Sequence, residues 1–391
     1  MRYLIILCFC MIIPSCMTPS NSEQVAQDKT KQLNQSSTHV FFKKAMGTRF
    51  TITIVTHDQL RAHQIARVAF RELDRIEQQV SSWIPSSEIS VLNQWAGQKS
   101  IKISEETYRL LAEAQRISIL SESAFDVTWA SLKGLWDFRQ KKIPTHTQIK
   151  RALRAVGYKN LVLKPTPTSN KSYLNFNHIE NISCDQKTKS PHSIRFLNPF
   201  VSSESIKTCF SAQLANPHSR IDLGGIAKGY AIDALVHVLR HFKYKNFLVD
   251  GGGDLYAEGL AEGGKAWRVG IQHPRSKNLW ASLQIPSGYA VVSSGDYERF
   301  FIQNKQRYHH IIDLRTGYPA QASVASTVMA TSAVEADAWA TALFVLGSKK
   351  GINLLNQQKN IAAIVFTPHG QVQSNLLFKK YFPHHSKLWK Q

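Results

Sequence analysis

Between Ser294 and Gly317 the chain gathers hydroxyls, carboxylates and imidazoles at spacings that suit chemistry. The run is Ser294-Gly295-Asp296-Tyr297, an aromatic strand, His309-His310-Ile311-Ile312-Asp313, then the turn Arg315-Thr316-Gly317. Such groups at strand ends and turns serve chemistry more often than packing. Asp337 and Thr341 follow, four apart in a helix-forming stretch, so both oxygens project from one helical face. Hard oxygen donors on a fixed face suit Mg²⁺ shared with substrate phosphates. Of His309 and His310 only one can face a ligand, because adjacent strand residues point oppositely.

Further upstream, Asp222-Leu223-Gly224-Gly225-Ile226-Ala227-Lys228-Gly229-Tyr230 opens a helical run with paired glycines and a lysine. Unshielded backbone N–H groups, a helix N-terminus and an ammonium together make a seat for a diphosphate. It is not a Walker A loop, since G-x-x-x-x-G-K-[ST] is absent. Asp250-Gly251-Gly252-Gly253-Asp254 ends a strand with a run that lets a ligand approach the backbone, although glycines there also make plain turns. Met46-Gly47-Thr48 reads as a turn before a strand, and Ser81-Ser82-Trp83 with Ser87 to Asn93 as a polar loop around an aromatic. Asp126, in Phe125-Asp126-Val127-Thr128, suits a helix cap as well as a site.

The elements that must position these groups read as an α+β fold. Arg49 to Thr56 alternates like a half-buried strand, and Ile65, Val68, Ala69, Leu73, Ile76 and Val80 form the stripe of a helix. A second helix starts at Ser104, and a third carries the pair Thr145 and Gln148 and stops at Gly157. Strands are expected at Phe247 to Val249, Trp267 to Ile271, Ala281 to Ile285 and Tyr289 to Val292. A hairpin of Arg299 to Gln303 with Tyr308 to Ile312 turns at Asn304-Lys305. Val324 to Ala330, a helix from Val334 to Leu346 ending at Gly347, and strands Ile361 to Thr367 and Gln371 to Leu377 close the chain. Helices and largely antiparallel strands in separate runs argue against a doubly wound parallel sheet.

Residues 1–15 have the form of a signal segment: Arg2, an apolar stretch from Tyr3 to Pro14, and Ile13-Pro14-Ser15-Cys16. The box is that of a bacterial lipoprotein, with Cys16 as the lipidated first mature residue. The alternative is ordinary cleavage and secretion. Residues 16–39 form a polar tether and 40–391 a single domain. Within that domain 165–213 loses all periodicity and reads as a surface insertion. The formal charge of +21 comes from scattered lysines and arginines without a basic block. This speaks against nucleic acid and for an anionic membrane surface or a polyanionic small molecule. Cys184 and Cys209, the cysteines left beside Cys16, could pair in an oxidising compartment, but no Cys/His metal spacing exists.

Taken in order, these segments resemble the ApbE family, FAD:protein FMN transferases also described as thiamine-biosynthesis lipoproteins. The resemblance runs from Met46-Gly47-Thr48 through Ser87-Glu88-Ile89-Ser90, Phe125-Asp126-Val127-Thr128, Leu135-Trp136 and the Asp222 to Tyr230 motif. It continues through Gly252-Gly253-Asp254, Ser294-Gly295-Asp296-Tyr297 and His310-Ile311-Ile312-Asp313 to Ala336-Asp337-Ala338. Three features depart from the family pattern. Leu314 stands where the family usually has proline, Trp129-Ala130-Ser131-Leu132 where it tends to have Gly-Pro, and the insertion is longer than usual.

The resemblance implies transfer of the FMN half of FAD to a Ser or Thr hydroxyl of an acceptor protein, with release of AMP. Phosphoryl transfer of this kind is mostly alignment and charge neutralisation. Asp337, Thr341 and the Gly225 carbonyl would hold Mg²⁺, and Lys228 would support the same phosphate oxygens. A hydroxyl is a poor nucleophile and needs a base, for which His310 is the first candidate and His309 the second. The rate should then rise through the ordinary imidazole range. By resemblance Asp222 binds ribose, Met46, Gly47 and Thr48 line the flavin and adenine pocket, and Asp126, Gly224, Gly253, Asp254, Ser294, Gly295 and Asp313 contact FAD. Two alternatives remain at this stage: hydrolysis of FAD with water as acceptor, and a non-catalytic periplasmic flavin-binding protein.

Overall fold

The computed structural model of the chain describes residues 36–167 and 208–382. The signal segment, Cys16, most of the tether, Cys184 and the interior of the insertion lie outside them. Elements follow in the order β1 (Ser37–Ala45), β2 (Thr48–Thr56), α1 (Gln59–Val80), α2 (Glu88–Gln94), β3 (Ile101–Ile103), α3 (Glu105–Leu120), α4 (His146–Leu153), β4 (Leu161–Pro167), β5 (Thr208–Leu214), α5 (Ala227–His241), β6 (Phe247–Gly251) and β7 (Leu255–Glu258). Next come β8 (Arg268–Gln272), β9 (Leu279–Gln284), β10 (Tyr289–Gly295), β11 (Phe300–Gln303), β12 (Gln306–His309), β13 (Ile312–Asp313), β14 (Tyr318–Pro319), β15 (Ala325–Ala330), α6 (Ala333–Asn356), β16 (Ala362–Phe366), β17 (Val372–Ser374) and α7 (Leu376–Tyr381).

Eight strands form one sheet in the order β1-β2-β6-β7-β10-β15-β16-β17, every neighbour antiparallel. The α+β expectation therefore holds. Both faces are covered, which is why β15, Ala325–Ala330, is buried at every position. Val328 and Val365 point into the core beneath α1, α5 and α6. Met329 and Ile364 point into a second core closed by the β8–β9 ribbon and α7. No helix among the described residues is long and apolar enough to cross a membrane.

Several expected boundaries move, each for a local reason. The strand β1 takes in residues 37–39, which read as tether. Ser87 caps a helix, α2, where a polar loop was expected; its side chain accepts from Ser90 N. The helix α4 has the Thr145–Gln148 capping box but ends at Leu153, and Gly157 serves a later turn at φ 134°. The helix α6 does not end at Gly347. That residue kinks it at φ 75°, and helix resumes to Asn356. Leu376 and Leu377 are helical because Asn375 caps α7. The ends of the expected insertion, Pro165 to Pro167 and Thr208 to Gln213, are paired strand, and 168–207 lie outside the described residues. Cys209 is disulfide-bonded.

The α5–α6 crossing sets the geometry of everything nearby. A Cβ on Gly229 would collide with Ala333 O, so only glycine lets the two helix starts meet. Asp233 on α5 then accepts from Ser332 Oγ, Ala333 N and Val334 N of α6 at 2.8, 2.8 and 3.0 Å. In return Asp337 on α6 accepts from Gly229 N of α5 at 3.0 Å. Each helix supplies the carboxylate that satisfies the other's orphan N–H groups. Asp233→Ala should cost about 2 kcal/mol, the upper end for a lost cap. A urea titration should show a lower midpoint with an unchanged slope; an unmoved midpoint would mean that Ser332 alone caps α6.

Candidate active site

The α5–α6 crossing brings the first predicted constellation together. Asp222 Oδ1 accepts from Gly224 N at 2.8 Å, turning the chain into α5. A Cβ built on Gly225 would lie 3.3 Å from both Thr341 Oγ1 and the Phe125 ring, so its backbone sits against Thr341. Asp337 and Thr341 share the α6 face that meets the start of α5, as their spacing implied. Lys228 Nζ pairs with Asp254 Oδ2.

The glycine turn that aims Asp254 is built from two hairpins in register. Met46 and Gly47, at φ 50° and 73°, form the two-residue connection of β1 and β2, where positive φ matches strand twist. Met46 N donates to Glu77 Oε1 at 2.6 Å. Because Phe50 pairs with Gly251, Thr48 is set against Gly252, and any side chain there would collide with it. Gly253 N donates to Asp250 Oδ1, and Gly251 N to Asp254 O, both at 2.8 Å. Thus Met46-Gly47-Thr48 and Gly252-Gly253-Asp254, far apart in sequence, are neighbours.

Charge in this cluster does not balance. Asp254 and Asp337 are 2 % and 4 % exposed. Burial pushes both carboxyls up, with Lys228 opposing. Burial works to lower Lys228, but Asp254 and Asp337 outweigh it and hold the ammonium charged. One ammonium cannot neutralise two buried carboxylates, so the pocket favours an added proton or cation.

The two histidines separate cleanly. His309, 2 % exposed, bonds Ala320 O through Nε2 at 2.8 Å and accepts from Ile311 N through Nδ1 at 3.3 Å. Both nitrogens are committed, and its ring packs edge-on to Phe344. The second-choice base is therefore a core residue. His310 points the other way and keeps a buried Nδ1 with no partner. Burial, His309, Arg299 and the Lys228 charge lower its pKa to about 4, which also places it within the electrostatic reach of Lys228.

Other expected contacts have structural work. Asp313 binds Arg315 through both carboxylate oxygens at 2.8 and 2.7 Å, which fixes the turn where Leu314 replaces the usual proline. Asp126 caps a 3₁₀ turn by accepting from Thr128 N and Oγ1. Ser294 pairs with Ser326 in the sheet, and Gly295 makes room for the Tyr297 ring. Asp222 has its second oxygen held by Ser82 and by Lys133 at 3.0 Å, while Lys133 lies 3.7 Å over the ring of Trp83. Sequence reasoning missed Lys133, Asp233 and Asn93, which clamps Ile221 at both N–H and carbonyl. Nothing in their local patterns marks them, since each acts on a segment remote in sequence.

Fold and pocket define a class before any name: an α+β protein whose buried acid–lysine pocket, ringed by glycine turns, can take a charged ligand. The sequence model of the ApbE family matches residues 46–365, and the chain belongs to that family. A Klebsiella pneumoniae protein named FAD:protein FMN transferase is 28% identical over 332 residues, covering 84% of this chain and 88% of its own. Among solved structures, the ApbE protein of Thermotoga maritima superposes with a TM-score of 0.70 at 26% identity, covering 88% of this chain and 99% of that one. The apo form of the Pseudomonas stutzeri flavinyl transferase ApbE also gives 0.70, at 25% identity over 89% and 98% of the two chains. The chain is accordingly an enzyme of the transferase class.

Removing Lys228 tests the charge balance in metal-free protein. Lys228→Met should cost about 3 kcal/mol near neutral pH, the low end for breaking a buried pair. Both carboxyls would then titrate above their unfolded range of ~4. Their contribution to stability is full below that value and lost as pH rises through the raised folded pKa. Unfolding midpoints between pH 4 and 8 should fall more steeply in the variant than in wild type, and parallel curves would sink the imbalance.

Proposed function

We propose that this transferase moves the FMN half of FAD onto a Ser or Thr hydroxyl of an acceptor protein and releases AMP. The observation that carries the reading is the free, buried Nδ1 of His310, whose pKa is lowered in part by the charge of Lys228, the lysine that pairs with Asp254. In the reaction the acceptor oxygen attacks the phosphorus of the FMN half. A new P–O bond forms, the bond to the AMP phosphate breaks, and the hydroxyl proton passes to His310. The Lys228 ammonium steadies the diphosphate oxygens, since the Ala227, Gly229 and Tyr230 N–H groups at the start of α5 already donate within the protein, and the Gly252–Gly253 turn admits the ligand to the backbone. Exclusion of water from this buried pocket strengthens each of these contacts.

The donor set fits Mg²⁺. Asp337, Thr341 and the Gly225 carbonyl are all hard oxygens; the Gly225 backbone lies against Thr341, and Asp337 uses Oδ2 on Gly229 N, leaving Oδ1 for a cation. No three His, Cys, Asp or Glu side chains gather as a metal cluster among the described residues, so phosphate oxygens of the ligand and water would complete the shell. When bound, Mg²⁺ would offset the charge developing on the leaving AMP. We further propose that Cys16 carries a lipid and that the enzyme works on the periplasmic face of a bacterial membrane, on the strength of the Ile13-Pro14-Ser15-Cys16 box.

His310→Ala should still bind FAD, while flavin transfer, read as in-gel fluorescence of the labelled acceptor, drops on the order of 10²–10⁴-fold. The ring is neutral above a pKa of about 4, so the wild-type rate should not climb through the usual imidazole range. It should be flat in this group from about pH 6 to 8 and fall on acidification below about 5. Undiminished transfer by the variant removes the histidine base. Asp337→Ala should lose Mg²⁺-dependent FAD binding in calorimetry by at least about tenfold, because a neutral hydroxyl is left as the side-chain ligand. Identical isotherms with and without chelator would exclude the metal.

A further inference from the structure

The hairpin that ends at His310 leaves one of its edges open. Among the described residues β11 and β12 pair only with each other, from Gln303↔Gln306 beside the turn to Phe300↔His309. Across a two-residue turn the flanking pair is hydrogen-bonded, and bonded and non-bonded pairs alternate from there. The next bonded pair beyond the strands is Arg299 with His310, and His310 N does donate to Arg299 O at 3.1 Å. It follows that the N–H and C=O groups of Phe300 and Ile302 point away from β12. No hydrogen bond reaches them among the described residues, and their side chains are 38% and 56% exposed.

The opposite face of the hairpin is anchored. Phe301 and Tyr308 stack on each other, and they meet Phe138 and Trp136. The open edge is therefore held in place, apolar and flanked by the exposed cations Arg299 and Lys305. An unprotected apolar edge of this kind is a template for another strand.

We propose that the outer edge of β11 is the docking strand for the acceptor polypeptide. The acceptor adds as an extended segment, with apolar side chains on Phe300 and Ile302 and carboxylates toward Arg299 and Lys305. Such a segment runs off the Phe300 end beside Arg299, whose carbonyl accepts from His310 N on the inner side of the strand, so its leading hydroxyl starts one strand away from the histidine. This inference rests on the transferase reading above and names the surface that recognises its protein substrate.

Ile302→Pro removes an outward N–H that the hairpin does not use, a change edge strands tolerate. Full-length protein with FAD and Mg²⁺ is incubated with an envelope fraction from the source bacterium deleted for this gene, and labelled bands are followed by in-gel flavin fluorescence. Labelling by Ile302→Pro should be slower by about tenfold, the worth of a backbone hydrogen bond with its neighbouring contact, with FAD affinity unchanged. Should the proline disturb FAD binding, the double variant Phe300→Ser with Ile302→Ser keeps every backbone group and must raise the apparent KM for the acceptor. Labelling at the wild-type rate by a variant that binds FAD normally overturns the docking strand. Absence of any labelled band with wild-type enzyme overturns the transferase reading itself.

Discussion

Two helices that cap each other's first turns are the constraint on which this site depends. Gly229 lets α5 and α6 touch where a side chain would strike Ala333 O. Only then can Asp233 reach two N–H groups of α6 and Asp337 the Gly229 N–H of α5. The cap on α5 thus comes from a buried carboxylate of the candidate site, the one that under the proposed function would offer its other oxygen to a cation. A residue that stabilises the fold is also a residue of the site, so the pocket cannot loosen without the helix pair loosening.

Around that crossing the sheet acts as a ruler. The β2–β6 register sets Thr48 on Gly252, and the turn that follows presents Asp254 to Lys228. The other long antiparallel run, β10 with β15, ends at Gly295, where the chain departs towards the histidine hairpin. Two glycine-bearing turns and one helix crossing bring a lysine and two aspartates together. Their joint burial sets two carboxylates against one ammonium, so the cluster favours an added proton or cation.

Much of this was legible in the sequence, where the signal was local. The four-residue spacing of Asp337 and Thr341, the glycines before Lys228 and the His310-to-Asp313 run are short patterns with direct physical meaning. Fold class and most strands followed from periodicity. What was not legible depends on distant partners. Asp233 sits mid-helix and looks like any solvated carboxylate until α6 arrives. His309 and His310 are the same residue type side by side, and only Ala320 O and Ile311 N decide which one is spent on packing. Gly347 reads as a helix stop, because nothing nearby tells that the helix resumes after the kink.

The β4–β5 ladder is closed to its last pair, Pro167 with Thr208, and this has a consequence for how the chain can change. The cost of closing a connection grows only with the logarithm of its length, on the order of 0.6 kcal/mol per doubling. Seven paired rungs already hold the two ends together, so whatever joins them adds little strain to the rest. That junction lies in the small β3-β5-β4 sheet, away from the pairings that align the pocket. A change of connection at that junction therefore leaves the rungs of the eight-stranded sheet, and the helix crossing they support, as they are.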